Sequence, residues 1–265
     1  MLECQGPTLP QSFLVEMKEG SENDAEDNYS LALTLNPNAP LKNLMDTMSP
    51  PAIEIVTIPV DPHSETKREL RLKFYYPPEM RKAEFIRFPL VLHVYSGPGS
   101  QLVTDQWKVD FNTYMASGLS YIVMEVDGYG SGGQGEEHQT KIKNRLGELE
   151  RLDQMTALKY ARGLHFVDPD KIAVTGVSYG AYIATLMLAE KHQNFLACGV
   201  AVSPVVDWRF YESAYTERYM GLPLPSENFR GYQKSSLIER CQGIEGKEFF
   251  LAHGMADRNV HIQNR

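Results

Sequence analysis

The sequence predicts an α/β fold, with a mostly parallel sheet and helices on both of its faces. Strand-like and helix-like segments alternate from about residue 52, and the later strand-like segments are nearly continuous apolar runs. Such runs are typical of parallel strands that are buried on both faces. The predicted strands are 52–60, 69–76, 89–95, 120–126, 171–175, 198–202 and 248–252. The first two alternate more in polarity, which predicts an antiparallel pair at one edge.

Three helices are predicted between these strands, at 106–117, 147–163 and 179–191. In the second of them the apolar positions recur at i, i+3, i+6 and i+9 from Leu149, which is close to the helical period. Two antiparallel strands that lead into a β-α-β series form the element order of an α/β-hydrolase.

Composition excludes several other classes of protein. The 265 residues are 42% apolar and 23% charged, with a net charge of −8, and nucleic-acid binding would need a basic face. No apolar run approaches 18 residues, and the N-terminus has no basic start with an apolar stretch, so we expect neither a transmembrane helix nor a signal peptide. The three cysteines have no zinc-site spacing, and we expect no metal and no cofactor.

Residues 1–50 are predicted to be weakly structured. The acidic, polar run at 19–28 cannot build a core, so we interpret it as a solvated loop. Asn28 begins a glycosylation sequon that would matter only in a secreted protein.

The five residues Gly176-Val-Ser-Tyr-Gly180 fit a nucleophile elbow. They stand between a β-branched strand and an apolar helix, which is the context that gives the G-x-S-x-G pattern its meaning. The glycines allow a tight turn, and Ser178 would be held at the tip of the sheet beside a helix N-terminus. A plain strand-to-helix turn is the alternative interpretation.

An activated serine needs an acid and a base, which follow the serine in the order Asp or Glu, then His in α/β-hydrolases. Asp257 comes just after the last predicted strand, at the edge where sites form in such sheets. A surface turn is the alternative for this aspartate. None of the histidines at 138, 253 and 261 fills the place of the base convincingly.

The oxyanion hole is predicted from two positions. After the third predicted strand the chain has Tyr95 in place of the Gly-rich loop of lipases, and a tyrosine hydroxyl can donate to an oxyanion. The second donor would be the backbone N–H of Tyr179, the residue after the serine.

Six stretches together resemble the catalytic domain of the dipeptidyl peptidase IV group within the prolyl oligopeptidase family. They are 94–101, 127–132, 176–180, 202–208, 215–223 and 253–261. The nine residues Tyr-Thr-Glu-Arg-Tyr-Met-Gly-Leu-Pro at 215–223 are the most specific. The resemblance covers about residues 52–265, and residues 1–18 resemble the end of the β-propeller that precedes this domain in the family. It implies a propeller remnant with an acidic linker at 1–50 and a peptidase domain at 51–265.

The resemblance also implies roles for individual residues. Ser178 would be the nucleophile and Asp257 the acid, with Tyr95 and the Tyr179 amide as the oxyanion hole. Asn259 would bind a substrate carbonyl. The pocket for a proline or alanine side chain would be lined by Tyr179, Val205, Trp208, Tyr211, Tyr215 and Val260. An aromatic slot suits a rigid pyrrolidine ring, although an aromatic cluster is by itself more typical of a core.

The implied function is that of a serine exopeptidase that releases N-terminal dipeptides after Pro or Ala through an acyl-enzyme. Its substrates would be peptides with Pro or Ala at the second position. For the longer parent, the resemblance implies an extracellular or cell-surface location, and a homodimer is one state that it suggests.

The sequence also departs from the family. Val177 and Ala181 replace residues of the family's elbow. The family's histidine follows the acid by a few tens of residues, beyond residue 265, so the last strand and helix of the fold would also be missing. Cys198 and Cys4 resemble disulfide cysteines whose partners lie outside this sequence. We therefore expect this chain alone to be inactive or nearly so. A non-catalytic relative that binds a partner is the alternative, and a generic esterase is a weaker one.

Overall fold

A computed structural model describes residues 1–17, 29–60, 68–83, 85–191, 193–196 and 198–264. The ten strands are β1 (Leu2–Cys4), β2 (Gln11–Met17), β3 (Tyr29–Asn36), β4 (Ala52–Pro59), β5 (Glu69–Tyr76), β6 (Phe88–Val94), β7 (Ile122–Asp127), β8 (Val167–Val177), β9 (Cys198–Val202) and β10 (Glu248–Ala252). The seven α-helices are α1 (Ala39–Met45), α2 (Phe111–Leu119), α3 (Glu136–Thr140), α4 (Leu149–Arg162), α5 (Tyr179–Leu188), α6 (Ser213–Met220) and α7 (Phe229–Ser235). Short 3₁₀ helices occur at Trp208–Phe210, Ile238–Ile244 and Ile262–Asn264.

The main sheet has seven strands in the order β10-β9-β8-β6-β7-β5-β4. β4 pairs with β5 and β5 pairs with β7 in the antiparallel sense, and all other pairs are parallel. This arrangement confirms the predicted α/β class and the antiparallel pair at one edge. All six residues of β7 are buried, as expected of a strand that is covered on both faces.

The parallel strands bring their carboxyl ends to one edge of the sheet. β6 ends at Val94, β8 at Val177, β9 at Val202 and β10 at Ala252, and the loops that follow them carry the predicted site residues. Ligands bind at this edge in open α/β sheets because the loops and helix N-termini converge there.

The N-terminal segment is more ordered than its composition suggested. In the described parts of residues 1–50, β1, β2 and β3 form an antiparallel sheet, and α1 follows it. The prediction of a weakly structured segment was therefore wrong for these parts, because backbone pairing between strands does not require a large apolar core. The acidic run at 19–28 lies outside the described residues.

Helices α6 and α7 were not predicted from the sequence. Both are short, and their buried positions include polar residues such as Thr216 and Ser235, so no clear apolar stripe marks them. All three cysteines are thiols: Cys4 is half-buried, and Cys198 and Cys241 are exposed. None of the helices in the described ranges has both the length and the apolar content that a membrane span requires.

Candidate active site

Ser178 stands at the junction between β8 and α5 and has a left-handed backbone, with φ 55° and ψ −119°. A non-glycine residue in this region costs about 1–3 kcal/mol, so its surroundings must hold it there. Its N–H donates to the carbonyl of Val202 at 2.8 Å, and its carbonyl accepts from the N–H of Tyr182 at 3.1 Å. The half-buried serine is thus fixed at the tip of the sheet by both β9 and α5.

The two glycines of the elbow are required by close backbone contacts. A Cβ on Gly176 would lie 2.3 Å from the carbonyl carbon of Gly180, and a Cβ on Gly180 would lie 2.0 Å from the carbonyl oxygen of Val94. Both distances are far below van der Waals contact, so strands β6 and β8 and helix α5 can approach one another only because both residues are glycine.

Asp257 lies in the loop after β10, on the same edge of the sheet as Ser178. Its Oδ1 accepts from the N–H groups of Asn259 at 2.9 Å and of Val260 at 3.1 Å. The bond from Asn259, with further support from Val260, Ser203 and the nearby His253, holds the pKa of this carboxyl below its ordinary value. The side chain is therefore kept as a carboxylate, the form that could orient a basic group.

None of the described histidines is hydrogen-bonded to Ser178. His93 contacts Glu125 and Asn112, and His138 contacts the carbonyl of Gly128. The ring of His165 contacts the carbonyl of Lys82, and that of His253 the carbonyl of Gly254. His261 is exposed, and His63 and His192 lie outside the described residues.

Tyr95 follows β6 directly and is partly exposed, and its ring lies against Gly97. Burial raises the pKa of Tyr211 and of Tyr215, and the neighbouring Tyr95 contributes to both shifts. The Tyr95 hydroxyl is therefore close enough to Tyr211 and Tyr215 to interact with them electrostatically.

These aromatic residues form a continuous cluster. The Trp208 ring centroid lies 5.5 Å from that of Tyr179 and 6.0 Å from that of Tyr215, which stacks nearly parallel to it. Tyr211 meets Tyr215 edge-on at 5.4 Å, and its hydroxyl donates to Oδ1 of Asn259 at 2.9 Å. Val205 and Val260 are buried in the same hydrophobic core. The structure thus brings the four aromatic residues of the predicted pocket together, and Asn259 joins them to the loop of Asp257.

Glu150 is a residue of this region that sequence reasoning missed. It is fully buried in the first turn of α4, where it accepts from the Tyr179 hydroxyl at 2.6 Å and from the N–H of Gly147 at 3.0 Å. Burial raises the pKa of this carboxyl to about 7, against the opposing effect of the Tyr179 and Gly147 hydrogen bonds. A carboxyl with a pKa near neutrality thus holds the side chain of Tyr179, the residue that follows the proposed nucleophile.

Two further polar residues of α4 support the same loops. Nε2 of Gln154 donates to Oγ of Ser96 at 2.8 Å, beside Tyr95. Asp153 accepts from the N–H of Tyr129 at 2.8 Å and from the Arg68 guanidinium. The face of α4 that points to the sheet edge is therefore polar, although the spacing of its leucines is helical.

Asn264 was also missed. Its Oδ1 accepts from the N–H groups of Val206 at 2.9 Å and of Asp207 at 3.0 Å, which fixes the loop that leads into Trp208. A single asparagine in a polar terminal stretch gives no sequence signal of this kind. In the described part of the chain, no group of three or more histidine, cysteine, aspartate or glutamate side chains could hold a metal ion.

Two features define an α/β-hydrolase: the order of the seven strands in the sheet, and a serine on the strand-to-helix elbow after β8, which is the fifth of these strands along the chain. The chain belongs to the prolyl oligopeptidase family, whose profile matches residues 107–265, more than half of its length.

Individual relatives match almost the whole chain. It is 37% identical to dipeptidyl peptidase 4 of Bos taurus over 99% of this chain and 32% of that protein. It is 35% identical to prolyl endopeptidase FAP of the same species, again over 99% of this chain and 32% of the relative. The crystal structure of Porphyromonas gingivalis dipeptidyl peptidase 4 superposes with a TM-score of 0.84 at 31% identity, covering 99% of this chain and 35% of the other. The chain thus spans about a third of the length of these proteins.

Proposed function

We propose that this chain carries part of the active site of a serine exopeptidase that releases N-terminal dipeptides after Pro or Ala. The observation that supports this most directly is Ser178 on its elbow, followed at once by Tyr179, whose ring belongs to the aromatic cluster. The relatives that carry the name dipeptidyl peptidase, and that match the chain from end to end, support the same reaction.

In the proposed reaction, Oγ of Ser178 attacks the carbonyl carbon of the bond after Pro or Ala and gives its proton to a base. The base passes the proton to the amine, which leaves as the C–N bond breaks and the acyl-enzyme forms. Water then attacks the acyl-enzyme, releases the dipeptide and restores the Ser178 hydroxyl. The hydroxyl of Tyr95 and the N–H of Tyr179 would donate to the oxyanion, which is worth about 3–4 kcal/mol per donor in serine proteases. Asp257, kept ionised by its backbone donors, would orient the base. No described histidine takes the base position, so the reaction needs a base from elsewhere.

The aromatic cluster would select the side chain before the cleaved bond. Tyr179, Trp208 and Tyr215 offer flat faces, and a pyrrolidine ring can stack on them with little loss of conformational freedom. Val205 and Val260 would close the slot against longer side chains. Asn259, already bonded to Tyr211, would bind the preceding substrate carbonyl.

The proposal is tested by adding an external base. We expect the purified chain to hydrolyse Gly-Pro-p-nitroanilide slowly or not at all, since loss of a triad member costs roughly 10⁴–10⁶ in kcat. Increasing concentrations of imidazole should then raise the rate, because a diffusible base can take the proton of Ser178. The measurement is p-nitroaniline release against imidazole concentration at fixed pH.

Two control variants test whether the imidazole-dependent rate comes from Ser178. The Ser178→Ala variant must lose the imidazole-dependent rate, whereas Ser213→Ala, an exposed serine on α6, must retain it. An imidazole-dependent rate that persists in Ser178→Ala would contradict the proposed nucleophile. Equal rates with Gly-Pro and Gly-Leu substrates would contradict the proposed pocket and favour a generic esterase-like site.

A binding function without catalysis is the second candidate, because none of the described histidines is hydrogen-bonded to Ser178. A chain that binds a Gly-Pro ligand with the same affinity as its Ser178→Ala variant, but gives no imidazole-dependent turnover, would support it. For a protein that contains this chain within a longer sequence, we propose an extracellular or cell-surface location and a homodimeric state, which rest on the family resemblance alone.

A further inference from the structure

A second pocket lies behind the aromatic cluster, between the start of α4, the middle of α5 and helix α7. It encloses about 260 Å³. Its 14 lining residues include Gly147 and Glu148 before α4, Tyr182 and Leu186 on α5, and Ser235 on α7. Neither Ser178, Asp257 nor Tyr95 lines it, so it is separate from the proposed peptidase site.

The charge of this pocket is opposite to that of the whole chain. Five of its 14 lining residues are cationic and only Glu148 is anionic, while the chain carries 26 cationic residues in 265 and a net charge of −8. The cations are Arg145, Arg151, Arg230, Lys234 and Arg240. Such a concentration of one charge in a concave surface attracts ions of the opposite sign.

Four of the five cations have no carboxylate partner among the described residues, and the side chains of three of these four donate no hydrogen bond there either. Arg151 forms an ion pair with Glu190, and Arg240 donates to the backbone carbonyl of Lys234 at 3.0 Å. The side chains of Arg145, Arg230 and Lys234 take part in none of the ion pairs found in the described ranges, and all three are exposed. Their donors are therefore available to a ligand.

The floor of the pocket is rigid and partly apolar. The Tyr182 hydroxyl lies within hydrogen-bond distance of the carbonyls of Leu146 at 3.0 Å and Ser235 at 2.9 Å and shares its one proton between them. This links α5 to both sides of the pocket. Leu186 lies one helical turn further along α5, and Gly147 lines the pocket just before α4.

We propose that this pocket binds a small anion that carries phosphate groups. Two free guanidinium groups and a free ammonium group match the multiple oxygens of a phosphate, because arginine binds phosphate through two parallel N–H donors and lysine adds a point charge. A volume of about 260 Å³ exceeds a single phosphate and accommodates a diphosphate or a small phosphorylated molecule.

The test uses pyrophosphate as the probe and the complete 265-residue chain. Pyrophosphate should raise the Tm of the chain in a saturable way, because a ligand that binds only the folded state stabilises it by mass action. Sodium chloride at the same ionic strength should not do so. Isothermal titration then gives the Kd.

The site is identified with matched charge variants. Arg145→Gln, Arg230→Gln and Lys234→Gln together should weaken pyrophosphate binding at least tenfold. The control removes three exposed positive charges elsewhere, through Arg87→Gln, Lys159→Gln and Lys191→Gln, and should leave the Kd within twofold. An equal loss in both triple variants, or an equal Tm shift with chloride, would overturn the proposal and leave only general charge screening.

Fluorescence gives a second, local measurement. Trp208 lies 5.3 Å from Tyr182, which forms the pocket floor, and Trp107→Phe would leave Trp208 as the only tryptophan. Pyrophosphate should change its emission with the same Kd as the titration, and the Arg145, Arg230 and Lys234 variant should lose this response. An emission that stays constant at saturation would contradict binding at this floor. None of these outcomes depends on peptidase activity, so the test stands apart from the proposed function.

Discussion

At the scale of single residues, Ser178 and Glu150 show how the site is held. Ser178 has a backbone conformation that is unfavourable for a residue with a Cβ, and hydrogen bonds to β9 and α5 retain it there. Glu150 is a carboxyl without exposure to water whose oxygens accept from the Tyr179 hydroxyl and from the Gly147 amide. Both are arrangements that cost stability locally and position the side chains around the proposed nucleophile.

The pH dependence of stability should reveal Glu150. Its pKa is about 7 in the folded chain and 4.5 in an unfolded one, so the folded chain binds more protons between these values. The free energy of unfolding should therefore fall as pH rises from 4.5 to 7, by on the order of 3 kcal/mol from this group. The contribution of the protonated carboxyl is fully present below pH 4.5 and is lost above pH 7.

The variant Glu150→Gln separates this effect from others. The variant has no carboxyl at this position, so its free energy of unfolding should not fall between pH 4.5 and 7 on this account. The variant should therefore become more stable relative to the parent chain as the pH rises. Urea unfolding at several pH values measures it, with Glu137→Gln on exposed α3 as the control that leaves the pH profile unchanged. Parallel curves for the parent chain and Glu150→Gln would show that Glu150 does not titrate in this range.

At the scale of elements, α4 has a burial pattern that its sequence did not predict. Its leucine spacing predicted a helix, and the helix is present at Leu149–Arg162. However, Leu152 is exposed, whereas Glu150, Asp153 and Gln154 are buried. The polar side chains face inward because the loops at the sheet edge offer them Tyr179, Tyr129 and Ser96 as partners, which only the folded chain supplies.

Helix α2 provides a test of local stabilisation. Asp110 accepts from the N–H groups of Asn112 at 3.0 Å and Thr113 at 3.2 Å, and the Thr113 hydroxyl accepts in return from the Asp110 N–H. Asp110→Ala should lower the free energy of unfolding by about 1 kcal/mol, because two N–H groups of the first turn lose their acceptor.

The control for this prediction is Asp105→Ala, since Asp105 is an exposed aspartate outside any helix. Denaturant unfolding should show a change within about 0.5 kcal/mol for it. Equal losses in the two variants would mean that the effect arises from charge rather than from the helix cap.

At the scale of the whole molecule, the sheet has two edges of different character. β4 forms one edge and β10 the other, and β10 has no strand on its outer side among the described residues. Phe250 and Leu251 on β10 are exposed, and an apolar cavity of about 240 Å³ lies beside Leu251 and Phe249. An exposed apolar edge strand tends to pair with another chain.

We therefore expect the purified chain to self-associate as its concentration rises, and Phe250→Lys to reduce this. A charge on the edge strand disfavours strand pairing between molecules. Sedimentation velocity over a range of concentrations measures the effect. Leu152→Lys, which places the same charge on the exposed face of α4, should leave the association unchanged. If both variants reduce association equally, net charge and not the edge strand controls it.

The sequence by itself determined the class of fold and most strands of the main sheet. Continuous apolar runs and the strand-turn-helix pattern around Ser178 are local properties of the chain, so they can be read without the fold. The predicted strands at 69–76, 198–202 and 248–252 agree with β5, β9 and β10 to the residue, while β8 extends further at both ends than its apolar run. The elbow glycines were also predicted from local sterics, and the contacts with Val94 and Gly180 give the reason.

The tertiary structure alone decided which polar side chains are buried and where opposite charges meet. Glu150 and Asn264 act on residues 29 and 57 positions away, and no local pattern encodes such pairs. The cationic pocket likewise joins Arg145 on the loop before α4 to Arg230 and Lys234 on α7, which are distant in sequence. Hydrogen bonds and charge interactions depend on distances in space, which the order of residues does not contain until the chain has folded.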